Sequence, residues 1–526
     1  TIGHHYYCVA KGFTVNNVTF KPQLFDLTEM YGAGNEPKTV EEFKAKFPNE
    51  LYDYSPRCWE PSCKTAITGI PPTEYGYRFN PESSDPAVER VIRKGTTINK
   101  WDVTYTANTP TSITENPFEK IDIFCPQIVY DKYGNKFSRF VKFYLYEEDL
   151  DGYHYVWVCR KKANDKYYLP DCFLDFGKEW DYVDIGCYEG SIETIDGVTR
   201  LCSKSGKTVQ TQRSRATDFN QAKANNYDEY QYTITTMGEY TQILSVLADI
   251  MLGTRNTQSV YSGLTGLDTG SKSVAAYDSF NHIIYFTTNV LNTYRVGYQF
   301  AFNNAGSPQS YGTIVENGSV VGNITDGVFV ASDTGTTYYY IRFINGSVPS
   351  TLNTVLIRPA PTGFTDTIDA LCGRAGDQWY TSFKLFGVEN VFGNTWRHIL
   401  DVTIKDLKPY RCLDLNSWAE TSTPENNSNW SSANYTLSNQ DGYVKTIGYD
   451  KDNPSVKMTT EIGTTSSTYY ADYYYQNGNG AKTVFVGGDL SNWSYAGLRY
   501  WGVYFGLGSG GWNIAARLSR RVVMGG

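Results

Sequence analysis

A chain of 526 residues is too long for one ordinary hydrophobic core and implies two or three domains. A formal net charge of -8 excludes a nucleic-acid grip, because a phosphate-binding surface needs clustered lysine and arginine that this sequence nowhere assembles. A bilayer crossing needs roughly 20 apolar residues, and the best apolar run, Ile243 to Leu252, is short and broken by Ser245 and Asp249; no membrane insertion is expected.

The chain starts at Thr1 rather than Met, and Thr1 to Ala10 has no basic segment followed by an apolar one, so it reads as a fragment or processed product of a longer protein with no secretory signal. Residues 15 to 25 mix β-branched, aromatic and polar residues as a half-buried strand does, with Pro22 at an edge or end. Thr39 caps a short predicted helix through Phe47, which Pro48 stops. Tyr52 to Pro72, with its prolines and cysteines, reads as a linker.

From Gly76 to Gly190 short strands are predicted at Lys120 to Tyr130, Phe137 to Leu145 and Tyr153 to Cys159, separated by turn residues. Arg213 to Asn225 and Thr236 to Leu252 carry helical periodicity; the second aligns Ile243, Leu244, Leu247, Ile250 and Met251 on one stripe. Residues 268 to 362 are rich in Thr, Ser, Gly and Asn, with β-type runs at Ile283 to Thr288, Gly327 to Ala331 and Thr337 to Phe343, closed by Pro359 and Pro361: a β-rich insertion. Past it, Phe383 to Ile404 resumes the core pattern. The segment Gly487 to Leu518 is nearly free of charge and dense in Gly and aromatic residues, and reads as loop with a strand or two.

The chain carries 44 tyrosines against 5 methionines. Tyrosine offers rigid amphipathic contact area with few rotatable bonds and accumulates in evolved binding surfaces. It also suits β-sheets, so binding is the preferred reading only where tyrosines cluster in Gly- and Ser-rich loop sequence.

Gln23 to Pro37 (QLFDLTEMYGAGNEP) with Thr39 to Phe43 is similar to the end of a jelly-roll module. Tyr188 to Ile192 (YEGSI), Arg255 to Ser259 (RNTQS), Phe386 to Trp396 (FGVENVFGNTW) and Gly487-Gly488 through Arg517-Leu518 follow in order. Together these motifs resemble phage and prophage tail proteins whose C-terminal domain has the C-type-lectin fold related to formylglycine-generating enzymes. The resemblance covers most of residues 80 to 520. It implies an α+β architecture: a C-type-lectin-like domain at 76–520 interrupted by the insertion at 268–362, after a β-rich jelly-roll-like piece at 1–56 and a linker at 57–75.

Some members of this group are variable products of diversity-generating retroelements, which randomise adenines in Asn-type codons. By that resemblance the ligand-binding surface comprises Asp489, Ser491, Asn492, Trp493, Tyr495, Tyr500, Gly502, Tyr504, Phe505, Ser509, Gly511, Trp512 and Asn513, although such a codon cannot yield Trp493 or Trp512. Gly487, Gly488, Ala496, Gly497, Leu498, Ile514, Arg517 and Leu518 would form a fixed frame, and Ser519 to Gly526 would run past its end. The implied function is a non-enzymatic receptor-binding protein at the virion tail tip. Its partners would be a bacterial surface protein or glycan and other tail proteins, and it would act as a homo-oligomer, a trimer by the family. The alternative is a fixed structural tail or baseplate protein with a lectin-like domain; a cell-wall-degrading tail enzyme is more distant.

Catalytic and cofactor chemistry finds little purchase. The copper-holding cysteine pair of formylglycine-generating relatives lies late in the fold, whereas the last cysteine here is Cys412. Glu147–Glu148 and Asp450–Asp452 are adjacent carboxylates of the kind found in solvated turns. None of the five histidines has a metalloprotease or triad context, and His398, two residues past Trp396, reads as a core residue. Asp450 to Asn453 is loosely calcium-loop-like without the Gly and distal Glu of an EF-hand, and Cys58 and Cys63 lack the second pair of a zinc site. The ten cysteines are expected to be mostly free and buried, and no cofactor is expected.

Overall fold

A computed structural model describes residues 73–103, 117–302, 311–376, 379–463 and 465–523. The jelly-roll-like piece at 1–56, the helix at Thr39 to Phe47, nearly all of the linker and the Cys58/Cys63 pair lie outside the described residues.

The fold is strand-rich, with strands at 40% and helices at 11%. A five-stranded antiparallel sheet runs in the order Thr97–Lys100, Glu89–Lys94, Thr73–Phe79, Tyr153–Cys159, Tyr144–Leu150. Its central strand begins at Thr73, so the segment expected to be linker through residue 75 is already sheet there. A second five-stranded sheet has the order Gln231–Ile234, Leu518–Val522, Tyr182–Gly186, Lys136–Val141, Gln127–Tyr130. The predicted strand at Lys120 to Tyr130 survives only from Gln127, because Pro126 cannot donate a ladder hydrogen bond and restrains the residue before it.

The helical segment at Thr236 to Leu252 forms as a π-helical stretch, Glu239–Ser245, running into an α-helix, Val246–Leu252. Gly253 ends it in the left-handed conformation at φ 71°, its N–H donating to the Asp249 carbonyl at 2.9 Å. The sequence aligns one apolar stripe, but from Glu239 to Met251 every side chain is buried, the polar ones included. Polar atoms of the helix find partners on surrounding elements: Glu239 accepts from Ser519 Oγ at 2.8 Å and pairs with Arg521 at 2.6 Å, and Gln242 accepts from the Asp171 N–H at 2.7 Å. The other predicted helix is Arg215–Lys223, with Ser214 accepting from the Thr217 N–H as its cap.

The largest sheet has nine strands. Trp396–Lys405 is buried over nearly its whole length at the centre and pairs antiparallel with Lys408–Cys412 and Ala481–Val486, and in parallel with Ile514–Ala515. Beyond Ala481–Val486 come Trp501–Val503, Tyr473–Gln476, Gly442–Ile447 and Thr459–Gly463. An eight-stranded sheet occupies Lys272–Ile357, inside the stretch read as an insertion, with its own cluster of Phe286, Tyr294, Phe300, Phe343 and Val355.

The residues after Leu518, expected to run past the end of the frame, form a fully buried strand instead. Leu518–Val522 lies between Gln231–Ile234 and Tyr182–Gly186 and is buried throughout. Sequence pattern hides this because Ser519, Arg520 and Arg521 look like surface residues. Arg520 donates to Asp184 at 2.6 Å, and Arg521 donates to Asp175 at 2.6 Å.

Candidate binding surface

The strand Tyr473–Gln476 pairs in parallel with Trp501–Val503 and antiparallel with Gly442–Ile447. Strand alternation sends Tyr474 into the core and turns Tyr473 and Tyr475 outward. Tyr475 is 43% exposed. The Tyr473 ring lies 5.2 Å from Tyr443 and 4.4 Å from Tyr495, while Tyr475 meets Tyr504 at 4.7 Å, which in turn meets Phe505 at 4.1 Å. Such ring pairs contribute about 0.5–1.5 kcal/mol each beyond burial, so the rings hold one another in place.

The loop after Ala481–Val486 turns on Gly487 and Gly488, at φ 90° and 77°, where an L side chain would be strained. Asp489 is buried, and its carboxylate accepts from Ser491 N at 2.8 Å, from Ser491 Oγ at 2.9 Å and from Asn513 Nδ2. Asn492 Oδ1 accepts from the Asp489 N–H at 2.6 Å. The four polar side chains therefore close the loop on itself. Beyond them, Trp493 and Tyr495 stand at 47% and 43% exposure. Trp493 sits at φ 49°, a costly conformation for a bulky residue, with Tyr380 packed edge-on 5.0 Å away.

Every residue expected to belong to the frame is buried: Gly487, Gly488, Ala496, Gly497, Leu498, Ile514, Arg517 and Leu518. A Cβ on Gly497 would collide with the Asp472 carboxylate. The residues expected to be ligand-facing divide. Trp493 and Tyr495 are exposed, and Ser491, Asn492, Tyr504, Phe505, Ser509, Gly511, Trp512 and Asn513 are half-buried. Asp489, Tyr500 and Gly502 are buried and are corrected to frame positions: Tyr500, 5% exposed, packs its ring 4.4 Å from Trp396, and a Cβ on Gly502 would meet the Tyr504 and Trp396 rings at 3.2–3.4 Å. Trp512 packs instead against the cluster of the eight-stranded sheet, its ring 5.1 Å from the Arg358 guanidinium.

No family model matches this chain, and no curated protein matches it.

Tyr443, Tyr473 and Tyr475 escaped the sequence reading although they complete the aromatic face. The local signal was present in Tyr469-Tyr470-Ala471-Asp472-Tyr473-Tyr474-Tyr475, but it lies outside the Gly-rich segment, and only parallel pairing with Trp501–Val503 brings it alongside.

The other candidate chemistry resolves into structure. His398 is fully buried, its Nε2 donating to the Arg213 carbonyl at 3.1 Å, and burial pulls its pKa down to about 3, so the ring is neutral. The Asp450 carboxylate accepts from Asn434 N, Asp452 N and Asn453 Nδ2 at 3.0–3.1 Å, forming a self-bonded turn. Among the described residues no group of three or more His, Cys, Asp or Glu is placed to hold a metal; Cys159, Cys172, Cys187, Cys202 and Cys412 are free thiols, and they are buried, as are Cys125 and Cys372. Among the described residues no helix is long and apolar enough to cross a membrane.

Glu147 and Glu148, expected in a solvated turn, are in the strand Tyr144–Leu150 instead. Glu147 pairs with Lys457 and lies 3.5 Å from His154 Nε2, while Glu148 bonds Arg93 at 2.6 Å. Burial works to raise the Glu147 pKa, but Lys457 and His154 outweigh it and lower it from 4.5 to about 2. A depressed carboxylate contributes stability that is complete above its unfolded pKa and is lost as pH falls through the folded one. We therefore expect unfolding free energy to fall by on the order of 2–3 kcal/mol between pH 4.5 and 2 through this group. Glu147→Gln should flatten that part of the acid limb in urea titrations followed by circular dichroism, and an unchanged limb would refute the assignment.

Proposed function

We propose that this chain is the receptor-binding protein of a phage tail tip, a non-enzymatic adhesin whose C-terminal part is a C-type-lectin-like domain displaying a variable aromatic surface to a bacterial cell. The observation that carries the reading is the division of one short segment. Gly487, Gly488, Ala496, Gly497 and Leu498 are locked inside, while Trp493 and Tyr495 between and beside them stand outward with Tyr473, Tyr475 and Tyr504. Binding loops on a rigid scaffold tolerate change where side chains leave the core. Tyrosine and tryptophan supply contact area at low entropic cost, and one protein would recognise a surface protein or glycan through several such weak contacts. A homotrimer, held with other tail proteins on one virion, would multiply modest affinity through effective concentration.

The experiment is adsorption of the fluorescently labelled protein to a panel of bacterial strains, joined to sequencing of the surrounding locus. Saturable adsorption to some strains supports the adhesin, and a nearby near-copy of the codons for 487–518 differing only at adenines, with a reverse transcriptase, supports diversification. Adsorption to none of the strains contradicts the adhesin. The burial of Asp489, Tyr500 and Gly502 favours a second reading, a fixed structural tail or baseplate protein with a lectin-like domain; absence of any codon copy in several related phages supports that one.

A further inference from the structure

Four Asn-Gly pairs occur in the chain: Asn317–Gly318, Asn345–Gly346, Asn477–Gly478 and Asn479–Gly480. Glycine has no side chain to shield its backbone nitrogen or to restrict rotation, so in such a pair that nitrogen can reach and attack the preceding side-chain amide. What holds each pair decides whether it does.

Asn317–Gly318 lies inside the strand Tyr311–Thr325, in register with Ile341 and Tyr340, and Asn317 Nδ2 donates to the Tyr294 carbonyl at 2.8 Å. Asn345–Gly346 is a turn with both residues left-handed, at φ 62° and 80°. A Cβ built on Gly346 would meet the Phe302 ring at 2.7 Å and the Tyr311 carbonyl oxygen at 2.8 Å, so the backbone has little room to rotate there. The other two pairs share the loop 477–480, which joins the strands Tyr473–Gln476 and Ala481–Val486 and exposes both asparagines. Gly480 is fastened twice: its N–H donates to Asp406 Oδ1 at 2.7 Å, and its carbonyl accepts from the Asp406 N–H at 3.3 Å. For Asn479 to be attacked, the Gly480 nitrogen would have to lose a proton held by a carboxylate and carry negative charge beside it. Gly478 has no such restraint. Its N–H has no hydrogen-bond acceptor among the described residues, and the bond from the Asn477 N–H to the Val503 carbonyl, at 3.4 Å, lies upstream of the torsions that must turn.

We propose that Asn477 is a site of spontaneous deamidation. The Gly478 nitrogen gives its proton to hydroxide and forms a bond to Asn477 Cγ, and the side-chain nitrogen leaves with a proton as ammonia. Water then opens the cyclic imide at either carbonyl to leave aspartate or isoaspartate, so one water is consumed for each ammonia released. The product carries a new carboxylate two residues from the exposed ring of Tyr475. The assignment does not rest on the adhesin reading, since it follows from the loop alone.

The test incubates the full chain at mildly alkaline pH and physiological temperature and follows all four sites by peptide mass spectrometry, with isoaspartyl methyltransferase labelling to locate the isomer. Asn477 should convert first, at least about tenfold faster than Asn479, the effect of one hydrogen bond to a charged acceptor on the barrier. Asp406→Gly, which suits the positive φ of 50° at that position and removes the carboxylate, should raise the rate at Asn479 toward that at Asn477 and leave Asn477 unchanged. Asn477→Gln should abolish the first signal. Conversion of any other pair as fast as Asn477, no conversion at Asn477 after a short peptide spanning residues 474–482 has fully converted at that site, or an Asn479 rate unmoved by Asp406→Gly would each overturn the proposal.

Discussion

Arg521→Ala is expected to destabilise the protein by about 3–5 kcal/mol, the cost of leaving buried charge without its partner. The guanidinium is fully buried and donates to Asp175 at 2.6 and 3.2 Å, to Ser519 Oγ at 3.0 Å and to Thr236 Oγ1 at 3.3 Å, and it pairs with Glu239 at 2.6 Å. It thereby ties the last strand to the central helix and to the turn at Asp175. Burial already pushes the Asp175 and Glu239 pKa values up, and Arg521 is the chief force against that. Without it both carboxyls shift further upward. A group whose folded pKa lies above its unfolded one contributes stability at pH below the unfolded value and loses it as pH rises through the folded value. The variant should therefore be closer to wild type at pH 5 than at pH 8. Urea midpoints at the two pH values check both statements, and a loss below about 1 kcal/mol at pH 8 would show that the last strand is not held in this way.

The second large effect concerns recognition. Replacing Tyr475, Trp493 and Tyr495 together by serine should reduce cell adsorption at least about 30-fold, since loss of central aromatic anchors at an interface typically exceeds 2 kcal/mol. The stability cost per residue should stay below about 1.5 kcal/mol, chiefly the ring contacts of Tyr475 with Tyr504, of Tyr495 with Tyr473 and of Trp493 with Tyr380. Tyr500→Ala should show the reverse balance. Its ring is packed against Trp396 in the core, so about 3–5 kcal/mol of stability goes with it. Adsorption assays paired with thermal melts separate the two outcomes.

Much of the fold follows from local pattern. The helix cap at Ser214, the β runs within residues 268–362 and the buried small residues of the C-terminal segment are each encoded in a few neighbouring residues. What local pattern conceals is non-local. Arg520 and Arg521 look solvated until Asp184, Asp175 and Glu239, distant in sequence, arrive to neutralise them. Glu239, Gln242 and Asp249 make the central helix look amphipathic for the same reason. In the candidate site, Tyr500 and Gly502 look as interchangeable as Tyr495, and only the approach of Trp396 from the neighbouring strand distinguishes them. Tyr473 and Tyr475 join the surface through a parallel pairing that no short-range rule anticipates.

The central claim is that a rigid frame near the C-terminus carries freely exchangeable outward side chains. Saturation mutagenesis of residues 489–513 together with Tyr443, Tyr473 and Tyr475, read out as protease resistance of each displayed variant, addresses it directly. Near-complete tolerance is expected at Tyr475, Trp493 and Tyr495 and near-complete intolerance at Asp489, Gly497, Tyr500 and Gly502. Equal tolerance across the two groups, or unfolding on substitution of Trp493 and Tyr495, would contradict it.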